Sequence, residues 1–333
     1  MHIAFWASGD DGSSWYRCDQ PALALNWLGH RTWSSQVLPP TQQARADVVI
    51  GSRIARPGSV ETWRGLKACG KHLVLDMDDD YFHIDPAHRR AHEFWSDPEI
   101  RDGLTEAIRL SDRCTCASEA QAEVLREYHD DVVVVPNGLH AWMLSTPRDY
   151  RPDRPVIGWA GTESTVDGLP IALPAIRRTA GRYSRPPRVM TVGVSQRLVV
   201  AAGLAHDHRP SGVEIEEWKT PGREYLSFVG QFDVWLAPYR DTPFNAAKFP
   251  TKALEAAVLG IPLITSDIRP YREWITHGVN GLLAGSPEEW WGCLRTLLDN
   301  PGMRERMGLA ARAKASRYTL QEVGRKWEAA CTF

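Results

Sequence analysis

The chain has 333 residues, 43% of them hydrophobic and 24% charged, the mixture of a soluble globular protein long enough for two domains. A net charge of −2 argues against a general nucleic-acid or membrane binder, while leaving room for a local basic patch. Six cysteines, with Cys114 and Cys116 as one close pair and no partner motif at zinc spacing, indicate free or buried thiols and no structural zinc.

In chain order, HIAFWA (2–7) opens the chain as a strand with no charged-then-apolar leader, so no signal peptide is expected. No later apolar run is long enough to span a bilayer, and a cytoplasmic location is expected. DVVIGS (47–52), HLVLDMD (72–78), CTCAS (114–118) and DVVVVPN (131–137) are the next predicted strands. Helices are predicted between them at 21–29, 59–70 and 99–111. Apolar strands separated by helices predict a doubly wound parallel sheet, with functional loops beyond the carboxyl ends of the strands. The polar, proline-rich residues 141–155 are predicted to link a first domain, 1–140, to a second, 156–316. The alternation restarts with strands at 156–161, 188–194, 213–218, 233–238 and 261–266. Helices are predicted near 169–182, 221–230, 250–259, 269–277, 287–299 and 303–315, and a last amphipathic one at 319–331. Two Rossmann-like domains facing a cleft are therefore expected.

Three stretches carry candidate chemistry. In FNAAKFPTKALEAAVLGIPLITS (244–266), Pro250 suits a helix start and Gly260 its end. Lys252 and Glu255, three apart, share a face near the positive end of the helix dipole, with Lys248 just before it. Free N–H groups and two lysines there favour a di-anion such as a diphosphate, and Glu255 can accept two ribose hydroxyls. The alternative is an ordinary surface ion pair. In DMDDDYFHID (76–85), Asp78, Asp79 and Asp80 cannot all be buried and ionised without a cation or several donors. One reading is a Mg²⁺ or Mn²⁺ site. The favoured one is acceptor-hydroxyl binding or domain packing, with helical N–H groups or Arg17 satisfying the acids and one carboxylate, or His83, taking a proton. SGDDGSSWYR (8–17) frees the backbone to approach a ligand, and Gly158, Ala160, Gly161 and Thr162 form a small-residue turn with the same capacity.

The stretch DVWLAPYRDTPFNAAKFPTKALEAAVLGIPLITSD, with YREWITHGVNGLLA, resembles the nucleotide-binding segment of retaining glycosyltransferases of family 4, which have the two-domain GT-B fold. VVVVPNGLH with VIGWAGTESTVDG is similar to that family's domain junction, and YTLQEVGRKWEAA to the helix that returns to the first domain, here 317–333. GSSWYRCDQPALALNWLGH ahead of DMDDDYF resembles a short subgroup from bacteriophages and actinobacteria.

The resemblance implies that Glu255 is the second glutamate of the family's E-x7-E motif and binds the donor ribose. Ala247 stands where the first glutamate is expected, and Thr165 and Asp167 occupy the region of the family's Arg/Lys pair. Lys248 and Lys252 then take over the diphosphate. It implies further that Ser13, Ser14 and Arg17 sit on a loop closing over donor and acceptor. Alternatively this is a polar turn with Arg17 in a surface ion pair. Trp218 lies where the family contacts the nucleobase, with a core position as the alternative, and Tyr239, Phe244 and Asn245 shape the sugar pocket.

The expected function is transfer of a sugar, with retention, from a UDP- or GDP-sugar co-substrate to an acceptor hydroxyl, with no permanently bound cofactor and a divalent metal not favoured. A sugar-nucleotide epimerase or hydrolase and an inactive nucleotide-binding module are the alternatives. The acceptor is open among a modified DNA base, a protein, a glycan and a small molecule. Arginines 177, 178, 182, 185 and 188 are a candidate basic patch for DNA or an ordinary solvated surface.

Overall fold

A computed structural model describes residues 1–146, 154–162, 165–193, 195–201, 203, 213–216 and 223–332. By its contacts the chain divides into two units. Unit 1 comprises Met1–Ala141, Thr242–Phe249 and Tyr318–Phe333, and unit 2 comprises Trp142–Asp241 and Pro250–Arg317. The short stretch Thr242–Phe249, which the sequence places in the second domain, thus groups with the first.

Unit 1 is built on six parallel strands: β1 (His2–Trp6), β2 (Arg31–Ser35), β3 (Val48–Ser52), β4 (His72–Met77), β5 (Arg113–Cys116) and β6 (Val132–Val134). Their order is β2-β1-β3-β4-β5-β6, so the direction of winding reverses between β1 and β3. Side chains alternate across the sheet. Val49, Leu73, Leu75 and Met77 enter one apolar layer, while Ile3, Phe5, Val48, Ile50 and Val74 enter the other. That second layer is closed by the C-terminal helix Leu320–Ala330, whose Trp327 is fully buried beside Phe5.

Unit 2 repeats the plan with β7 (Val156–Ala160), β8 (Arg188–Val192), β9 (Val213–Glu216), β10 (Val234–Ala237), β11 (Leu263–Ser266) and β12 (Leu282–Ala284). All neighbours are parallel, in the order β12-β11-β10-β7-β8-β9, with the reversal between β7 and β10. The helix Pro287–Asp299 covers one face through Trp290, Leu294 and Leu297. It starts where Ser286 and Glu289 cap each other's backbone N–H, with Pro287 in the first turn.

The expected pair of doubly wound sheets is present. Two edge strands escape sequence reading: RTWSS of β2 is half-exposed and serine-rich, and β12 has three residues. Helices at Pro40–Arg45, Arg89–Trp95 and Glu119–Leu125 were likewise not predicted.

Candidate functional site

In unit 1 a polar constellation gathers beyond the carboxyl ends of β1, β3 and β4. Asp11 caps the turn Gly12–Ser14, accepting the Ser14 N–H at 2.8 Å, and its other oxygen takes the Arg53 guanidinium at 2.9 Å. Arg53 Nε also lies 3.7 Å from Asp78 Oδ1. The same carboxylate accepts the Tyr81 hydroxyl at 2.7 Å and a hydrogen bond from the Ser13 side chain. Burial pushes the Asp78 carboxyl up, but Arg53, Ser13 and Tyr81 outweigh it and hold the group below the usual range. Asp79 is paired with Lys248 at 2.9 Å, and that ammonium sits 4.0 Å above the Phe244 ring. Burial and the adjacent Asp78 charge raise the Asp79 carboxyl in spite of Lys248. The aspartate run is therefore divided. Asp78 is tied down and ionised; Asp79, 26% exposed against 8%, is the reachable group and the better proton acceptor.

Arg17 is elsewhere. It occupies the π-helical turn Trp15–Asp19, is 1% exposed, and forks onto Asp76 at 2.6 and 3.0 Å. It also donates to Val135 O and Asn137 and stacks 4.9 Å from the Trp327 ring. A guanidinium so committed cannot reach a ligand, so its expected place on the ligand loop is corrected: Arg17 pins the C-terminal helix. Arg53 takes the role expected of Arg17 beside the aspartates. Asp80 is corrected as well: it is buried and turns the chain, accepting the Phe82 N–H at 3.1 Å and meeting His83 Nδ1 at 2.8 Å. His83, half exposed, faces Asp80 rather than the Asp78–Asp79 pair. Ser14 is buried on the Asp11 turn. Phe244 lies in the apolar core of unit 1, and Asn245 beside it is buried, so neither is a free wall of a sugar pocket. Ala247 is buried too, and its carbonyl accepts the Ser118 hydroxyl at 2.5 Å.

In unit 2 the helix is Thr251–Val258, with Gly260 at φ 67° after it. Lys252 Nζ and Glu255 Oε2 are 2.9 Å apart, and the Tyr225 hydroxyl donates to the same Glu255 oxygen at 2.8 Å. Lys252 also reaches Tyr225 at 3.3 Å. The carboxylate is 3% exposed and the lysine 18%, so this is a mostly buried triad and not a surface pair. Tyr225 was not singled out from sequence; its only signal was a hydroxyl-bearing residue within an apolar helix face. Lys248 and Lys252 thus belong to different units, each matched with its own acid.

Beside this triad, the Tyr239 ring stacks on Tyr271 at 5.4 Å, and its N–H donates to Ser266 Oγ at 2.8 Å. Thr162 and Thr165 close a turn after β7, with the Thr162 N–H 3.0 Å from Thr165 Oγ1, and a Cβ at Gly161 would run into Thr165 and Trp159. Asp167 pairs with Arg240 at 3.4 Å. Gly158 is corrected: it lies in mid-strand, where a Cβ would enter the Phe232 ring, so it serves packing and not ligand approach. Trp218 lies outside the described residues.

The candidate basic patch is largely compensated. Arg178 pairs with Glu288 at 3.6 Å, Arg182 with Asp299 at 2.9 Å and Arg188 with Glu214, while Arg177 donates to Gly203 O. Cys114 and Cys116 are free, buried thiols, the latter pushed up by burial to about 12. Among the described residues, no three His, Cys, Asp or Glu side chains gather as a metal site, and no helix is long and apolar enough to cross a membrane.

Comparison with known proteins places this architecture. The family model described as Glycosyl transferases group 1 matches residues 154–300. Glycogen synthase of Mycobacterium tuberculosis is 27% identical over 221 residues, covering 62% of this chain and 50% of the relative. The chain thus spans about half the length of the curated relatives it matches. Sucrose-phosphate synthase from Thermosynechococcus elongatus superposes with a TM-score of 0.72 at 13% identity, covering 99% of this chain and 98% of that one. Anabaena HepE, solved in complex with UDP and glucose, does so with a TM-score of 0.68 at 15% identity and the same coverage. The fold is GT-B, and the segment whose sequence matches the glycosyltransferase family is the one that carries Lys252, Glu255 and Tyr225.

Proposed function

We propose that the protein is a glycosyltransferase using a nucleoside diphosphate sugar. The observation that carries this reading is the buried Lys252–Glu255–Tyr225 triad inside the family-matched segment. Unit 2 binds the donor. Glu255, held in place by its two donors, accepts the ribose hydroxyls, and Lys252 faces the diphosphate and neutralises charge as it leaves. Trp218 stacking on the nucleobase belongs to the same proposal. Unit 1 binds the acceptor. Lys248, given to the diphosphate on sequence grounds, instead orients Asp79, which receives the acceptor hydroxyl. In the transfer, the bond between the anomeric carbon and the diphosphate oxygen breaks and its electron pair leaves with the diphosphate. The acceptor oxygen forms the new bond, and its proton passes to Asp79, whose raised proton affinity suits that task.

Retention, membership of family 4 and the short phage or actinobacterial type are the finer part of the proposal, resting on the resemblance of the segments quoted above. So are UDP or GDP as carrier and a cytoplasmic setting. Ala247 leaves no acid where the family's first glutamate stands, which favours a donor sugar held by other groups; an inactive binding module is the second reading on that observation. The test is a panel of UDP- and GDP-sugars against glycan, protein, DNA and small-molecule acceptors, reading released diphosphate and acceptor mass. Acceptor-dependent release with a matching mass gain is expected. Steady donor conversion without acceptor indicates a hydrolase or epimerase, and binding without turnover an inactive module.

A further inference from the structure

We propose that Arg53 is the positioning residue of the unit 1 site, locking the loop after β1 to the aspartates after β4 so that Asp79 alone is presented to an acceptor hydroxyl. The inference rests on the glycosyltransferase reading above for the word acceptor, and on geometry for the rest. Arg53 has φ 56°, the single positive value outside glycine among the described residues. A side chain makes that conformation unfavourable, and it persists only where the surroundings fix it. Glycine would take the same backbone without strain, so the guanidinium must be what holds arginine's place.

Its position explains what it holds. Arg53 directly follows β3, and Asp11 lies in the loop after β1, so their 2.9 Å bond spans the point where the winding of the unit 1 sheet reverses. Ser8 and Ser52 meet across the same gap at 3.5 Å. The guanidinium's Nε lies 3.7 Å from Asp78, and Ser13, from the pinned loop, bonds Asp78 as well. Two loops and one carboxylate are thus clamped by one planar fork, a geometry lysine cannot reproduce. The charged and titratable groups facing the aspartate pair are Arg53, Tyr81 and Lys248, with Asp11 behind Arg53 and Arg17, bound to Asp76, acting on Asp78 only at longer range. Removing the Arg53 charge makes loss of protons from the pair harder, so the acidic limb of activity must move to higher pH.

The experiment compares the 333-residue chain with its Arg53→Gly and Arg53→Lys variants. Arg53→Gly relieves the backbone and removes the clamp. Its acceptor kcat/KM is expected to fall roughly 10–100-fold, with the donor KM within about twofold of the parent and the acidic limb raised by about one on the pH scale. Arg53→Lys should return the pH profile, since it restores the charge, but not the rate. An unmoved pH profile in Arg53→Gly, or a loss shared equally by donor KM, overturns the proposal. If the unaltered protein transfers no sugar, the function has failed and not the clamp, which is then judged by backbone amide exchange. Faster exchange across 8–14 and 78–81 in Arg53→Gly upholds it, and unchanged exchange there overturns it.

Discussion

At the scale of single residues, the charged groups sort into those that hold the fold and those left for chemistry. Arg17 is of the first kind. Replacing it with methionine strands Asp76 in the apolar layer with only the Thr115 hydroxyl at 2.7 Å for company. Arg17→Met is expected to lose about 3–5 kcal/mol in denaturant unfolding, while nucleotide affinity of the folded protein stays unchanged. The sequence did contain the clue: Asp76 follows Val74 by two, so it shares that residue's inner face and needs a buried cation. The cation's identity was not legible, because a π-helical turn in Trp15–Asp19 aims Arg17 inward where a loop was expected. Asp78 offers a pH test. Its carboxyl is held below the ordinary 3.8, so its contribution to stability is full above that value and vanishes as pH falls through the lower folded one. The Tm of Asp78→Asn should therefore lie below the parent's at neutral pH, and the gap should close in acid. A constant gap contradicts the assignment.

Secondary-structure elements were readable wherever burial imposed a pattern. Strands buried on both faces, such as β3 and β10, showed as unbroken apolar runs, and long amphipathic helices showed by their period. What stayed hidden was set by neighbours rather than by local sequence: the half-exposed β2, the three-residue β12, and the loan of Thr242–Phe249 to unit 1 through Phe244 and Ala247. Glycines tell a similar story. Gly308 is in the interior of the helix Pro301–Ala315, where glycine is a poor choice, yet a Cβ there would run into the Gly260 carbonyl just past the Lys252 helix. Backbone cannot step aside as a side chain can. Gly308→Ala should cost about 1–3 kcal/mol by overpacking, despite alanine's better helix propensity, and chemical denaturation of the pair checks it. A stabilised variant would show that the two helices separate freely.

For the whole molecule, both halves use one plan, a parallel sheet whose winding reverses once, and each half holds a lysine–carboxylate pair. The sequence conveyed the plan and the resemblance, and it marked Lys248, Lys252 and Glu255 as the charged core of the candidate site. It did not convey that the two lysines have separate acids, since ion pairing across 169 positions, Asp79 to Lys248, leaves no local trace. The central claim is that unit 2 holds a nucleoside diphosphate through Lys252 and Glu255. Isothermal titration of UDP and of GDP into the protein and into its Lys252→Met and Glu255→Gln variants tests it most directly. The account predicts one site for one of the two nucleotides, weakened roughly 10–100-fold in each variant. Equal affinity in all three proteins, or no binding of either nucleotide to the unaltered chain, would contradict it.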